Sequence, residues 1–506
     1  MAVATAHHAA ERPDETALRD PRTTLTWAQA DDLLNRAVNG LLALEAGPGR
    51  RIAVYAENSA EAVLAHVAGL LAGMAVVPVN FHLAAPEAAY ILENSRSAVL
   101  LTGPENLDRA VAAAGRAGIT QVIAWRSPAA PGVRAWEDLL AAASPAEPPS
   151  DLEPLPNLLY TSGTTGFPKA TPLPPNMFAG GATVAEHVAA LREQPLTMFG
   201  PHLAVGPLYH TGPLYGVRAF AAGVELGVLG RFDAEEVLRA IAEWGTRVSV
   251  MVPTHFVRLL ELPGEVRAKY DTSGLMLVVH TGSACPVDVK RAMIEWWGPV
   301  IVEAYGASES GSVCVIDSHE WLAHPGSVGR PIPPFEALVV DEEGRPAAPG
   351  TEGRLYFRDG TGRGVLYADD PAKTAAAHLE PGVFTLGEIG RVDEEGYVYI
   401  TDRFSDMVVS GGVNLYPAEA EKVLFAHPDV VDAACVGVPH AEMGEELKAL
   451  VVSRDPALTE EALIAFCRDR LSHYKCPRSV DFVPELPRTA MGKLNKRELR
   501  APYWED

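Results

Sequence analysis

The segment YTSGTTGFPKA, residues 160–170, sets the hydroxyls of Thr161, Ser162, Thr164 and Thr165 and the glycines Gly163 and Gly166 ahead of one cation, Lys169. Glycine permits positive φ and close backbone approach, so amides and hydroxyls together make a concave donor surface suited to a phosphate chain. The segment is not a Walker loop: it lacks GxxxxGK[ST], and Pro168 interrupts a helical continuation. Taken alone, such a segment is more often an ordinary polar turn, and the single Lys169 shifts that balance only slightly. A second cluster, EAYGASESG, puts Tyr305, Gly306, Ala307, Ser308 and Glu309 at the end of the apolar stretch PVIVEAY. Loops leaving the carboxyl ends of strands are where open α/β sheets bind ligands. A carboxylate there, facing a phosphate loop, acts most sensibly through a divalent cation; the plainer alternative is a solvated glutamate. Arg403, in TDRFSDMVVSGGVNLYP, sits at a change of texture and could reach a nucleotide from between domains, or form a surface salt bridge. Lys493, in PRTAMGKLNKREL, follows the last apolar stretch, where a solvated basic tail is the plain reading.

The elements that must hold these residues follow from punctuation. Residues 26–45 carry apolar positions at helical spacing, RIAVYAEN reads as a short buried strand, EAVLAHVAGLLAG as a helix ending at Gly73, and MAVVPVN as the next strand. Short apolar runs recur at AVLLT, QVIAW, VELGVLG, VSVMVP, LMLVVHTG and PVIVEAYG, which predicts parallel sheets covered by helices, an α/β fold. Between Pro128 and Pro156 the chain is rich in proline and alanine and reads as a surface connection. From about Gly329, short strands with Glu-Gly or Asp-Gly turns predict hairpins in a small barrel or curled sheet. After Arg403 the pattern becomes a compact α+β unit of about a hundred residues, with Pro417 in the first turn of a helix, a helix from Thr459, a strand SVDFV and a polar tail. No internal repeat is visible.

Composition limits the partners. At 506 residues, roughly three packing units are expected. A net charge of −23 argues against sequence-independent binding to nucleic acid or anionic lipid, so an anion would need placed amides, a few cations or a metal. The five cysteines are scattered with no C-x-x-C pair, which predicts a reduced, cytoplasmic protein without structural zinc. The N-terminus lacks a signal-peptide pattern. The most apolar stretch, residues 62–79, is broken by His66, Gly73 and Pro78 and predicts a buried helix and strand, not a membrane span.

Together the four segments, with LTWAQADDLLNRAVNGL, ENSAEAVLAHVAGLLAGMAVVPVN and GKLNKREL, resemble the adenylate-forming superfamily of acyl-CoA synthetases, luciferases and peptide-synthetase adenylation domains. The resemblance spans essentially the whole chain, and HTGSACPVDVKRAMIEWWGPVIVEAYGASES is most similar to bacterial fatty-acyl or medium-chain acyl-CoA synthetases. It implies an N-terminal adenylation domain (1–402) of helix-covered sheets with a small β-barrel, a hinge (403–406), and a small mobile α+β domain (407–506). It implies activation of a carboxylic acid by Mg²⁺-ATP to an acyl-adenylate, then displacement of AMP by a thiol, in most relatives that of CoA. By the same resemblance Thr161 to Lys169 hold phosphates, and Gly282, Ser283, Ala284, Tyr305, Gly306 and Ala307 line the nucleotide and acyl site. Ser308 sits near the α-phosphate, Glu309 near Mg²⁺, and His210 gates the carboxylate, although without the resemblance His210 reads as a core histidine. Glu388 and Arg403 correspond to ribose and phosphate contacts, and Lys493 to the tail lysine of adenylation. Gly411 and Gly412 correspond to the turn that approaches the thiol channel after the small domain rotates. Gly212, Tyr215, Gly216 and Arg218 fall where pocket walls are expected.

Four positions depart from the family pattern: Ala170 and Ser308 replace its glycine and threonine, Glu388 its ribose aspartate, and Ser405 the Asp or Lys of its hinge. They keep open a divergent adenylase that activates an acid or a small oxyanion and passes it to a carrier protein or an amine. A non-catalytic scaffold would have lost Lys169, Glu309 or Lys493, and all three are present. Amino-acid-activating members of that superfamily carry an aspartate for the substrate ammonium near the segment corresponding to PLYH; none stands there in this sequence, which by the resemblance argues against an amino acid. A homodimer is a further partnership left open.

Overall fold

The computed structural model describes residues 4–504 except Glu45, Pro48, 162–167, Ala284, 342–343, 368–369, 404–407 and 488–495. At Ala4, Thr161, Ile389, 401–403, Asn414, Ala418 and Arg497 only the backbone is described.

The first layer is a five-stranded parallel sheet in the order Ala75–Pro78, Arg51–Tyr55, Val99–Thr102, Gln121–Ala124, Val133–Ala135. Four of its strands are buried almost throughout, which is why they read as continuous apolar runs, while the edge strand Val133–Ala135 is partly exposed. The helix Ala60–Leu71 is capped by Ser59 and buried at every residue except Glu61. Residues 62–79 are thus interior helix and strand. Among the described residues no helix is long and apolar enough to cross a membrane.

The second sheet has nine strands, and its middle is parallel: Ile301–Ala307, Leu277–His280, Val248–Met251, His202–Ala204, Leu226–Val228 and Thr16–Arg19. Antiparallel strands close both ends, Gly311–Asp317 and Arg330–Pro331 on one side and Thr24–Thr26 on the other. The loops at residues 205–213, 252, 281–283 and 308–310 therefore leave the same carboxyl edge.

The segment predicted as a surface connection differs. It forms the strand Val133–Ala135 and the helix Trp136–Ala142, which buries Trp136, Leu139 and Leu140, with Trp136 edge-on to Trp125 at 6.3 Å. A seven-residue helix is too short to show a period, and the surrounding prolines hid it.

From Phe335 to Arg403 the chain forms one six-stranded antiparallel sheet. Its central strand, Gly353–Asp359, pairs with Phe335–Val340 along one edge and divides the other between Val383–Phe384 and Glu388–Val392. The expected Asp-Glu-Glu-Gly hairpin joins Glu388–Val392 to Val398–Arg403, with Asp393 Oδ1 accepting from the amides of Glu395 and Tyr397.

The last unit pairs Val413–Leu415, Val408–Ser410, Gly444–Ser453 and Val430–His440, and adds Ser479–Phe482 in parallel. Pro417 begins a helix and Thr459 caps another, as expected. The polar tail is a correction: Lys496–Trp504 is helical, and Leu499 joins a cluster with Ala434, Val436, Val438, Leu450 and Leu486. One apolar side chain per turn suffices to dock a helix that composition alone reads as solvated.

Candidate active site

Ser308 Oγ lies 2.9 Å from Thr211 Oγ1, joining the loop after Ile301–Ala307 to the turn that opens the helix Leu214–Ala221. The 308 loop is held from outside by Asn176, whose Nδ2 donates to the carbonyls of Ser310 at 3.1 Å and Ser312 at 3.3 Å. Gly306 is required by packing, since a Cβ there would collide with the carbonyl of Gly311. His210, beside Thr211, is pushed down to about 4 by burial and then by His82, so its imidazole is neutral near pH 7. The Tyr209 ring lies 4.4 Å from that of His210 and 5.3 Å from that of Phe81.

Glu309 and Lys169 meet residues that sequence reading did not single out. Tyr367 Oη donates to Glu309 Oε1 at 2.8 Å, and Lys373 Nζ lies 3.8 Å above the Tyr367 ring. Lys169 is ion-paired with Asp370, whose other oxygen caps the helix Pro371–Ala376 through the Lys373 amide. Burial pulls Lys373 below the usual lysine range while Glu309 and Asp370 oppose it; burial, then Glu309, pushes the Tyr367 phenol up. Two ammonium groups, two carboxylates and a phenol thus share one patch, a donor set suited to a polyphosphate carrying a divalent cation. The signal in the sequence was Asp370-Pro371, an acidic N-cap followed by proline at the first helical position.

The strand Lys169–Pro172 pairs with Leu158–Thr161, setting Lys169 opposite Thr161 and Ala170 opposite Tyr160. The methyl of Ala170 is buried in the core with Leu158 and Leu100, so alanine in place of glycine fills interior space on the hairpin.

Tyr305 Oη donates to Glu388 Oε2 at 2.8 Å, and Glu388 is buried. Strand register places Arg403 directly opposite Glu388. Behind Gly282 and Tyr305 lies a buried charge pair, Lys290 Nζ to Glu303 Oε2 at 2.6 Å, with His280 Nε2 3.5 Å from the same carboxylate. Burial pulls Lys290 down and pushes Glu303 up, each offset by the other, and burial keeps His280 neutral. The pair ties the helix Val287–Trp297 to the strand that carries Tyr305.

The turn Gly411–Gly412 reaches this edge from the C-terminal unit. Gly412 has φ +78, and a Cβ on it would come within 3.2 Å of the Val252 side chain; a Cβ on Gly282 would lie 3.9 Å from the Gly412 carbonyl. The approach is fixed by contacts across the units. Lys475 Nζ lies 3.0 Å from Glu87 and 3.0 Å from Glu419, Asn80 donates to Tyr474 Oη at 2.7 Å, and Arg258 pairs with Glu442 at 2.7 Å. Burial disfavours the Lys475 charge, but Glu87 and Glu419 more than offset it and hold its pKa above the usual value.

The structure therefore brings together His210, Ser308, Glu309, Lys169, Gly282, Ser283, Tyr305, Gly306, Ala307, Glu388, Gly411 and Gly412 around the carboxyl edge of the nine-stranded sheet and the antiparallel sheet beside it. Ser162, Gly163, Thr164, Thr165, Gly166, Ala284, Ser405 and Lys493 lie outside the described residues, and Thr161 and Arg403 are described in backbone only.

Residues 5–365 match the family model of the AMP-binding enzyme, and residues 419–493 match that of the AMP-binding enzyme C-terminal domain. A feruloyl-CoA synthase of Amycolatopsis sp is 32% identical over 499 residues, covering 97% of this chain and 96% of the relative. Among solved structures, the amide bond synthetase McbA of Marinactinospora thermotolerans has a TM-score of 0.82 at 27% identity, covering 99% of this chain and 100% of that one. A double mutant of the o-succinylbenzoate CoA synthetase of Bacillus subtilis, bound with its product analogue, has a TM-score of 0.80 at 26% identity, covering 99% and 98%. With both family models matched in order and the carboxyl-edge cluster in place, the chain belongs to the AMP-binding enzyme family, the adenylate-forming enzymes, and is an AMP-forming ligase.

Proposed function

We propose that the enzyme joins a carboxylic acid to the α-phosphate of ATP, releasing pyrophosphate, and then transfers the acyl group from the adenylate to the thiol of CoA, releasing AMP. The observation that carries this reading is the meeting, at one sheet edge, of the Thr211–Ser308 hydroxyl pair, the Lys169–Asp370–Lys373–Glu309 charge cluster and the Gly411–Gly412 turn.

In the first step a carboxylate oxygen attacks the α-phosphorus and the bond to pyrophosphate breaks. Placement and charge neutralisation do most of the work in such a transfer. Thr161 to Lys169 cradle the phosphates, Ser308 and Thr211 place hydroxyl donors beside the reacting oxygens, and neutral His210 closes the carboxylate side. Gly282, Ser283, Ala284, Tyr305, Gly306 and Ala307 line the nucleotide site. Glu388, held by Tyr305, and Arg403 across the strand pair take the ribose. Glu309 fits Mg²⁺, since one carboxylate oxygen accepts from Tyr367 and the other has no partner among the described residues; the ion, when bound, neutralises charge on the phosphates. Lys493 serves this step from the C-terminal tail.

The second step uses the other orientation of the unit 407–506, turned about the hinge 403–406 relative to 1–402. Support comes from the Gly411–Gly412 turn beside Gly282 and from whole-chain similarity to a synthetase bound with its product analogue; a rotated small unit would lower a score taken over the whole chain. The CoA acceptor is supported by the feruloyl-CoA synthase relative.

ATP–pyrophosphate exchange with a panel of acids tests the first half-reaction, and acyl-dependent AMP release with CoA, a carrier protein or an amine tests the second. Exchange without CoA-dependent release would replace CoA by another acceptor, and no exchange with any acid would overturn the proposal.

A further inference from the structure

Arg218 is 4% exposed in the helix Leu214–Ala221, and its Nε, Nη1 and Nη2 are all buried without a hydrogen-bond partner among the described residues. Its recorded neighbour is the Tyr215 ring, 4.3 Å from Cζ. The titratable group facing it from the adjoining helix Val184–Arg192 is His187, which is 1% exposed. His187 Nδ1 lies 2.6 Å from the Gly180 carbonyl and therefore carries the proton, leaving Nε2 unpartnered with a lone pair. Burial and Arg218 itself keep that ring neutral, so it brings no negative charge. A guanidinium with five donors and no acceptor, out of water, is a costly arrangement that a folded chain retains where something else supplies the counter-charge.

The position of Arg218 says where that group comes from. Backbone hydrogen bonds carry the helical turn back to His210, through Leu214 N to His210 O and Tyr215 N to Gly212 O. Thr211, Tyr215 and Arg218 are spaced by four and three residues and so lie along one face. Thr211 touches Ser308 at the reacting end. Arg218 lies seven residues further, about 10 Å along the axis at the helical rise.

We infer that Arg218 terminates the acid pocket and selects acids carrying a second carboxylate, which it binds at the end remote from the reacting one. This rests on the acid-activating reading above. A carboxylate meets the planar fork with paired, charge-assisted bonds, whereas a neutral oxygen would fill donors and leave the charge uncompensated. Plain aliphatic or aryl monoacids leave Arg218 unpaired after binding.

The test uses the full-length enzyme and its Arg218→Met variant, which keeps side-chain length and removes the charge. Pyrophosphate exchange is measured with linear dicarboxylic acids from succinic to sebacic, each beside the monocarboxylic acid of equal length. Wild type is expected to favour the best diacid over its monoacid at least tenfold in kcat/KM, and Arg218→Met to lose or reverse that preference. Without ligand, Arg218→Met is expected to melt above wild type, and the best diacid to raise the melting temperature of wild type alone. A monoacid preference in wild type, an unchanged ratio in the variant, or a variant that melts lower would overturn the inference while leaving acid activation standing. Absence of exchange with every acid would overturn the acid-activating reading, and this inference with it.

Discussion

Glu309 is half-buried and held through a single oxygen by Tyr367, so its identity can be changed without disturbing the fold. Glu309→Gln keeps the volume and removes the charge; pyrophosphate exchange should fall roughly 10²-fold and need more Mg²⁺, with the thermal midpoint unchanged. An unaltered Mg²⁺ requirement would make Glu309 an ordinary surface carboxylate. Glu309 and Lys169 could be picked from the sequence because each stands in a short run whose residue types already suggest phosphate chemistry. Tyr367 and Lys373 could not, and Asp370 showed only as an acidic N-cap before Pro371. They lie in a segment without period, and their partners are 58 residues away for Tyr367 and 201 for Asp370, so only the folded chain joins them. Glu303 left a fainter sign, one acid inside the apolar run VIVEAY, whose meaning depended on Lys290 arriving from the preceding helix.

At the scale of elements, the parallel strands were legible because burial on both faces writes an unbroken apolar run between glycine and proline stops. The helices Trp136–Ala142 and Lys496–Trp504 were not, since each is short and owes its place to a few buried side chains. The tail matters for turnover. Lys493→Ala should cut adenylate formation by roughly 10²-fold and spare thiolysis of supplied acyl-adenylate. Gly412→Val should do the reverse. A valine there must adopt φ +78 and meet Val252, so the turn is pushed off the sheet edge while the first half-reaction proceeds. Separate assays of the two half-reactions check both variants, and equal losses in either would contradict an alternation between two orientations.

Across the whole molecule, neutral histidines are built into the interior. Burial holds His66, His202 and His210 down to about 4, and His255 to about 3. In the unfolded chain they titrate near 6.5. Between about pH 6.5 and 4 the unfolded chain binds more protons than the folded one, so stability should fall as pH drops through that window and the histidine contribution should level off below it. Each such group is worth on the order of 3 kcal/mol at the acid end. Thermal midpoints measured from pH 7.5 to 4.5 should show the slope, and His66→Leu should flatten it by one group's share; an unchanged slope would place the acid sensitivity elsewhere.

The Lys169–Asp370 pair joins the hairpin strand that follows residues 162–167 to the start of the helix Pro371–Ala376. If Lys169 takes a phosphate as proposed, nucleotide entry is a replacement, in which the phosphate displaces a carboxylate that is tethered and present at an effective concentration in the millimolar range or above. Orthophosphate and sulfate, with one weak contact each, are poor at that exchange, whereas a triphosphate gripped along its length is not. On that reading the carboxylate would act as a built-in competitor that screens the site against small inorganic anions. Asp370→Asn, which keeps a capping side chain, should make exchange more sensitive to millimolar orthophosphate relative to each protein's own rate in simple buffer, and equal fractional inhibition of both proteins would rule the screening out.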